Sequence, residues 1–273
     1  MIKKLLNNIY SIIKRIKEEI LDLIFPKFCV GCGLDGELLC QKCTLKIVPV
    51  MTPVCPECGR LSESGQYCFK CKPKKALKGV ISAAYYEEGP IREMVHNLKY
   101  NSVTELAEPL AELMADALRA NFEFLISNFQ SKSNDLIFKN LNIKNSLKIQ
   151  NSELIIVFVP LHWFRQTQRG YNQSELLARA IGNKLNLPVY NLLRKRKKTK
   201  RQVELTGKLR RENLKGVFVL NSLISLIAQT SLKGKTILLV DDIFTTGSTL
   251  NECARVLKTA GVKEIWGLVV ARG

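Results

Sequence analysis

The feature that most constrains this sequence is a series of four Cys-x-x-Cys pairs between Cys29 and Cys71, which holds eight of the nine cysteines. Each pair lets two sulfur atoms face one metal ion, and Gly33 and Gly59 directly follow two of the pairs and ease the tight turn. Four thiolates in a tetrahedral array suit zinc, which supplies folding energy to a segment with too few apolar residues for its own core. We predict structural zinc bound by these ligands: Cys29, Cys32, Cys40, Cys43, Cys55, Cys58, Cys68 and Cys71.

The spacing leaves the arrangement of these sites open. The pairs could combine in chain order or interleave, and the segment could hold one ion or two. Ligation by thiolates alone leaves no coordination position for a substrate, so the metal is expected to be structural, with a redox or iron–sulfur role as the alternative.

Residues 1–25 carry apolar side chains at steps of three and four, which predicts an amphipathic helix that ends at Pro26. Lysine and glutamate interrupt every apolar run, so the pattern fits neither a signal peptide nor a membrane-spanning helix. The helix could pack on its own protein, lie on an anionic membrane or dock on a partner. Without an export signal, a cytoplasmic, reducing location is expected, where thiols bind metals sooner than they form disulfides.

The charge of the chain points to anionic partners. The 273 residues carry a net charge of +18, which favours nucleic acid, a lipid surface or phosphorylated small molecules. Residues 194–215 hold eleven Lys or Arg against two Glu, a net charge of +9 without an aromatic residue. Such a segment can bind phosphates without base preference, and a solvated basic face is the alternative. Its basic candidates for DNA contact are Arg194, Lys197, Lys198, Lys200, Arg201 and Arg210.

Strand-like and helical segments alternate after residue 78, which predicts an α/β fold with a parallel sheet flanked by helices over residues 79–273. Residues 26–78 form a separate, small zinc-binding domain in this interpretation. Residues 121–152 are rich in Asn, Lys, Ser and Ile without a steady period, and we interpret them as a variable insertion or long loop. The predicted strands are Val80–Tyr85, Ile155–Val159, Thr236–Val240 and Glu264–Val270, and the predicted helices are Ile91–Ala120, Gln173–Leu185 and Ser248–Ala260.

A second motif follows the buried strand that ends at Val240. Asp241 and Asp242 come first, and the loop Thr245–Thr249 then opens a helix. Open α/β sheets bind ligands at the carboxyl ends of their strands, where N–H groups and hydroxyls of such a loop can hold a phosphate. The carboxylates suit ribose hydroxyls and a divalent cation. A Walker-type site is the alternative, but Gln229 stands where its loop needs glycine.

The loop motif resembles the phosphoribosyl pyrophosphate motif of type I phosphoribosyltransferases. The resemblance extends to the ComF family of ComFC- and GntX-like competence proteins, in which a double zinc ribbon precedes a phosphoribosyltransferase domain. Two segments depart from that family: Trp163–Thr167 replaces a Pro- and Arg-containing stretch, and Thr199–Gln202 replaces Thr-Pro-Pro-Gln. The matching segments are the cysteine series, Leu23–Pro26, Tyr86–Ile91, Leu98–Tyr100, Val159–His162, Arg169–Gln173 and spaced residues from Thr199 to Phe218.

The resemblance implies a division of labour in one pocket. Asp241 and Asp242 would be the catalytic pair that holds the ribose hydroxyls, directly or through Mg²⁺. Segment 194–215 would be a mobile loop over the site, with Gln202, Arg210 and Asn213 as its matched residues. The remaining ligand-binding residues would be Thr245, Thr246, Gly247, Ser248 and Thr249 for the 5′-phosphate, and Pro160, Leu161 and His162 for the pyrophosphate.

Some of these residues have a structural alternative. His162 could cap a helix, and Arg169 could serve in a salt bridge. Cys253 is expected in the core, and Lys99 is a further, less favoured candidate for the pocket.

The resemblance implies three possible functions. The first is a cytoplasmic DNA-uptake factor that binds single-stranded DNA and phosphoribosyl pyrophosphate and works with competence proteins such as a helicase. The second is an active phosphoribosyltransferase with an unknown acceptor, and the third is a regulatory module that only senses the ligand.

Overall fold

A computed structural model of the protein describes residues 27–87, 89–130, 154–196, 216–221 and 232–273, with side chains up to Asn121 in the second range. The predicted helix at 1–25, most of the predicted insertion and most of the basic segment lie outside these residues. Within the described ranges, no helix combines the length and apolar character needed to cross a membrane.

The elements alternate along the chain as the sequence predicts for an α/β protein. Short 3₁₀ turns lie at Glu63–Gly65, Lys72–Lys74 and Thr104–Leu106. The helices are α1 Gln41–Thr44, α2 Pro90–Tyr100, α3 Ala107–Gln130, α4 Trp163–Arg169, α5 Gln173–Leu185 and α6 Ser248–Lys258, and the strands are β1 Gly79–Tyr85, β2 Leu154–Phe158, β3 Val189–Tyr190, β4 Leu193–Lys195, β5 Phe218–Leu220, β6 Thr236–Phe244 and β7 Glu264–Arg272.

Five strands form one sheet in the order β1-β7-β6-β2-β3, and all of its neighbouring strands are parallel. The carboxyl ends of β2 and β6 therefore lie at the same edge, with Phe158 opposite Val240. Strands β4 and β5 form a separate antiparallel ribbon, in which Lys195 pairs with Phe218. This confirms the predicted α/β class with a parallel sheet and flanking helices.

The predicted helix Ile91–Ala120 is wrong as a single element, because the structure has two helices there, α2 and α3, with residues 101–106 between them. Two boundaries also lie well beyond the predicted residue. Strand β6 continues to Phe244, because its pairing with β7 extends through Asp241 opposite Val269 and on to Arg272. Helix α3 runs to Gln130, so the first residues of the predicted insertion are helical. A helix that has already formed several turns propagates at little cost, even where the apolar period fades.

The sheet is buried on both faces. One face packs against α2, α3 and α5 through residues such as Met94, Leu110 and Leu177. The other packs against α6, the β4–β5 ribbon and the segment around Cys55 and Tyr67, through residues such as Leu257 and Phe218. Strands that are covered on both sides carry continuous apolar runs, and all five residues of β2 are buried accordingly.

The cysteines group in chain order, which settles the pairing that spacing left open. One group is Cys29, Cys32, Cys40 and Cys43, and the other is Cys55, Cys58, Cys68 and Cys71, with the ligand atoms of each group within 4.8 Å of one another. The Sγ atoms of Cys32 and Cys40 lie 3.6 Å apart and those of Cys58 and Cys68 lie 3.7 Å apart. Tetrahedral zinc with bonds of about 2.3 Å separates its sulfur ligands by about 3.8 Å, so each group fits one ion.

The two modules share one backbone design. Cys29 donates its N–H to the Leu34 carbonyl and Cys55 donates to Arg60, both at 2.7 Å. The first sulfur of each module in turn accepts an N–H bond from the third cysteine, at 3.3 and 3.4 Å. Burial raises the pKa of Cys29 and Cys55, but these and other backbone N–H groups outweigh it and lower each pKa to about 6. Both modules therefore favour a thiolate at the first ligand, which zinc requires.

The cysteine modules also cover the outer edge of the sheet. Val50 donates its N–H to Ala83, Tyr85 donates to Val48, and Tyr67 donates to Lys78, all at 3.0–3.1 Å. Backbone approach is close here, because a Cβ on Gly65 would lie 2.4 Å from the Val80 carbonyl oxygen. The exposed side of β1 is thus paired with the zinc-binding segment.

Zinc content tests the grouping of the ligands. We expect the purified protein to hold two zinc ions, and Cys43→Ala and Cys71→Ala each to lower the content to one, because each variant removes a ligand from a different group. Cys253→Ala should retain both ions, since Cys253 lies in the core on α6. Metal analysis of the three variants checks this. Loss of both ions in either single ligand variant would contradict two independent sites.

Candidate functional site

A cavity of about 790 Å³ opens at the carboxyl ends of β2 and β6. It is the place where the predicted ligand motif, the segment after β2 and the β4–β5 ribbon meet. Its lining includes four cationic and two anionic side chains, so it stays net positive with both carboxylates ionised. The charged residues of the lining and the predicted site residues among them are Lys99, Arg165, Arg169, Lys195, Asp241, Asp242, Pro160, Leu161 and Thr245–Thr249.

The first turn of α5 holds the two aspartates. Ser174 donates its hydroxyl to Asp241 Oδ1 at 2.9 Å, and Gln173 donates Nε2 to Asp242 Oδ2 at 2.8 Å. The side chain of Asn172 caps α5 by accepting the Ser174 N–H at 3.0 Å and donates to the Val159 carbonyl at 3.0 Å. The cap therefore fixes the start of α5 against the end of β2 and aims both donors at the acidic pair.

Lys99 supplies the positive charge beside these carboxylates. Its Nζ lies 2.9 Å from Asp242 Oδ1, and its side chain is only 17% exposed. Burial would lower the pKa of Lys99, but the charges of Asp242 and Asp241 outweigh that effect and raise it. Lys99 is only a less favoured pocket candidate in the sequence analysis, although the Leu98–Tyr100 segment is among those that match the family.

The two segments that supply partners for the acidic pair also contact each other. The Tyr171 hydroxyl donates to the Leu98 carbonyl. The Arg169 guanidinium lies 5.3 Å from the centre of the Tyr100 ring and donates to Gln173 Oε1 at 2.5 Å. The Leu98–Tyr100 and Arg169–Gln173 segments, which are far apart in sequence, thus form one wall of the cavity.

Burial and the neighbouring Asp242 charge raise the pKa of Asp241 to about 7, against the opposing bonds from Ser174 and the Asp242 N–H and the charge of Lys99. Asp241 retains some solvent contact, whereas Asp242 is buried. The charge of Lys99 therefore compensates the Asp241 carboxylate only in part. A cation or a pair of hydroxyl donors would stabilise the ionised form of this carboxylate.

The backbone turn of the loop Thr245–Thr249 depends on one glycine. Gly247 has φ +66° and caps the start of α6, and a Cβ there would lie 2.5 Å from the Phe244 ring. The hydroxyls of Thr246 and Ser248 lie 2.9 Å apart at the cavity wall. The backbone turn thus brings two hydroxyls and the N-terminus of an eleven-residue helix to one side of the cavity.

The residues after β2 have two different roles, since some line the cavity and one caps a helix. Pro160 and Leu161 line the cavity. His162 is buried and accepts the Phe164 N–H at Nδ1, 3.3 Å away, which makes it the cap of α4. The structure thus brings Pro160 and Leu161 to the pocket and gives His162 the capping role that the sequence left as its alternative.

The described start of the basic segment lies beside the cavity, and so does β5, which follows the segment in the chain. Lys195 of β4 and Phe218 of β5 line the cavity, and Arg194 is exposed on β4. Burial and the charge of Arg165 lower the pKa of Lys195. On the returning side, Gly216 donates its N–H to Glu252 Oε1 of α6 at 3.0 Å. The other predicted residues of this segment lie outside the described ranges: Lys197, Lys198, Lys200, Arg201, Gln202, Arg210 and Asn213.

Two known domain families match separate parts of the chain. Residues 20–72 match the double zinc ribbon domain, and residues 172–273 match the phosphoribosyl transferase domain. The second match contains the α5 start, the acidic pair and the loop Thr245–Thr249.

Several known proteins are similar to this chain over most of their length. Competence protein F of Haemophilus influenzae is 32% identical over 252 residues, which cover 89% of this chain and 96% of that protein. The DNA utilization protein YhgH of Escherichia coli K12 is 26% identical over 90% of this chain and 98% of its own. Competence protein ComFC of Bacillus subtilis is 24% identical over 82% and 80%. With two cysteine modules, a phosphoribosyl transferase sheet and relatives of this extent, the chain belongs to the ComF family.

Proposed function

We propose that the cavity binds phosphoribosyl pyrophosphate or a closely similar ribose phosphate. The observation that carries this proposal is the placement of Asp241 and Asp242 beside the loop Thr245–Thr249 in one cavity. Carboxylates suit the ribose hydroxyls, and a helix N-terminus with hydroxyls suits the 5′-phosphate. The two groups follow one another at the end of β6, which suits a ligand with a polar ring and an anionic arm.

The described residues also offer a place for the pyrophosphate. Arg169 and Lys195 line the cavity and carry positive charge. The carboxylate oxygens of Asp241 are suitable ligands for Mg²⁺, which would supply charge to a pyrophosphate group when bound. Pro160 and Leu161 would present backbone groups to the same region.

We also propose that the protein acts in DNA uptake or use and binds single-stranded DNA. Its relatives are named as competence and DNA utilization proteins. The basic segment 194–215 carries half of the chain's net charge, and its described start lies at the cavity. Competence proteins such as a helicase would be its partners in that role.

Two alternatives concern what the bound ligand does. If the protein transfers phosphoribose, positive charge develops on the sugar and negative charge on the leaving pyrophosphate, so the carboxylates and cations around the cavity would both assist. If the ligand only regulates DNA binding, the same pocket would release no pyrophosphate. Assay of pyrophosphate release against a panel of acceptors separates these functions.

Ligand binding is tested by calorimetric titration of phosphoribosyl pyrophosphate with Mg²⁺. We expect the wild-type protein to bind, and the double variant Asp241→Asn/Asp242→Asn to lose at least about tenfold in affinity, because charge-assisted hydrogen bonds are lost. Asp35→Asn/Asp116→Asn removes the same charge away from the cavity and should bind as wild type. Equal affinity in both double variants would contradict the proposed ribose site.

The raised pKa of Asp241 predicts a stability effect without ligand. Its ordinary pKa is 3.8, so the folded protein holds this proton more tightly than the unfolded chain and loses stability as the pH rises from about 4 to about 7. Asp241→Asn removes this loss, because Asn accepts the same Ser174 bond without a charge. We expect the variant to be more stable than wild type at pH 8, with a smaller advantage at pH 5.5, as measured by urea unfolding. Asp116→Asn should show no such pH-dependent gain, and a destabilised Asp241→Asn protein at pH 8 would refute the expectation.

DNA binding by the basic segment is tested through its salt dependence. For single strands the slope of log affinity against log salt is about −0.7 per neutralised phosphate, so Lys197→Gln/Lys198→Gln/Lys200→Gln should reduce its magnitude by about 2. The control Lys70→Gln/Lys72→Gln/Lys74→Gln changes three exposed lysines of the second cysteine module. Fluorescence anisotropy with a labelled oligonucleotide measures both. Equal effects in the two variants, or no DNA binding by the wild type, would overturn this assignment.

A further inference from the structure

Helix α4 contributes no buried side chain to the protein. All seven residues of Trp163–Arg169 have solvent access, and Trp163 is 68% exposed. Phe164 beside it is 37% exposed. Large aromatic side chains are normally well buried, so two neighbouring exposed rings on one short helix mark a surface that contacts something else.

The aromatic pair has a fixed geometry. The rings of Trp163 and Phe164 meet edge to face, with centroids 6.0 Å apart and an angle of 88°. The His162 ring lies 5.6 Å from that of Trp163 at 36°. His162 is itself held by its cap bond to the Phe164 N–H. The Trp163 ring is therefore held by the rings of His162 and Phe164, while most of its surface is open to solvent.

The same helix reaches the cavity with its other side. Arg165, Gln168 and Arg169 are spaced three and four residues apart and line the cavity wall. Trp163 thus lies at the rim of the proposed ribose phosphate site, within one helical turn of a cation that faces the cavity.

Positive charge continues from α4 onto the β4–β5 ribbon. Burial lowers the pKa of Lys195, and the charge of Arg165 lowers it further, which indicates that the two cations share one part of the cavity. Arg194 lies next to Lys195 and is exposed, and the basic segment follows. The exposed aromatic pair therefore lies on the same helix as Arg165 and Arg169, which line the cavity together with Lys195.

We propose that Trp163, supported by Phe164, is a base-stacking platform for single-stranded nucleic acid, with the exposed Arg165 and Arg194 holding the adjoining phosphates. This inference rests on the proposed nucleic-acid binding and gives it a location. Stacking surfaces beside a cationic groove are the features that hold single strands without sequence preference.

The chemistry favours a single strand over other occupants. A duplex keeps its base faces stacked internally, so an exposed indole gains nothing from it. An apolar protein partner would bury the rings but leave these cations without anions. The platform lies in the Trp163–Thr167 stretch, where this chain departs from the ComF pattern, so the sequence comparison gives no indication of it.

Tryptophan fluorescence provides a direct readout. The chain has two tryptophans, and Trp266 is only 3% exposed in β7. We expect an oligothymidine of about 15 nucleotides to quench the emission of the wild-type protein through stacking on Trp163. An abasic oligomer of the same length carries the phosphates without the bases and should not quench. Trp163→Phe should show no quenching by either oligomer, because the remaining tryptophan is buried.

Affinity measurements complete the test. Trp163→Ala should weaken oligothymidine binding about tenfold without changing the salt slope, since it removes stacking and no phosphate contact. Trp163→Phe should retain most of the affinity, and Tyr190→Ala, which removes an exposed ring from β3, should behave as wild type. Because Trp163 is exposed, neither of its variants removes a core contact.

The outcomes separate this inference from the function on which it rests. If the wild-type protein does not bind oligothymidine, the proposed DNA binding fails and the platform with it. DNA binding stands and the platform is wrong if two results occur together. Trp163→Ala binds oligothymidine as tightly as the wild type does, and the wild type binds the abasic oligomer as tightly as oligothymidine.

Discussion

The buried carboxylate of Asp242 joins three elements that approach one another from different parts of the chain. One oxygen accepts from Lys99 of α2 and the other from Gln173 of α5, while the residue itself lies in β6. A buried charge that lost either partner would incur a large desolvation cost, so these partners constrain where α2 and α5 can lie. The Tyr171 contact with Leu98 and the Arg169 contact with Tyr100 follow from that placement. The wall of the cavity is therefore built around one side chain.

The negative charge of the acidic pair is only partly compensated by the described residues. Gln173 and Ser174 orient the carboxylates, but Lys99 is the lysine that pairs with them in the described structure. Two adjacent carboxylates with one such partner leave Asp241 poorly stabilised, which its raised pKa reflects. Sites that hold such unfavourable charge without ligand gain interaction energy when a cation or hydroxyl donor arrives.

Local patterns predicted much of this protein, and long-range packing decided the rest. The zinc ligands, the strand before Asp241 and the helix start at Ser248 each follow from residues within one short window. The grouping of the cysteines did not, because the spacing of the pairs fits both a sequential and an interleaved arrangement. Lys99, Gln173 and Ser174 come to the aspartates from elements whose positions depend on sheet order, which one sequence does not encode locally. Trp163 was noted only as a departure from a family pattern, since solvent exposure of a tryptophan is visible only in the fold.

The pairing of the cysteine modules with β1 makes the metal relevant to more than its own domain. Segments around Val48–Val50 and Gln66–Tyr67 satisfy backbone groups along a strand that would otherwise end the sheet with open hydrogen-bonding positions. These segments have no core of their own and keep their shape through the sulfur ligands. A chain deprived of zinc would thus present an unpaired, largely apolar strand to other copies of itself, and self-association would compete with folding. Loss of zinc would then lower the solubility of the whole molecule.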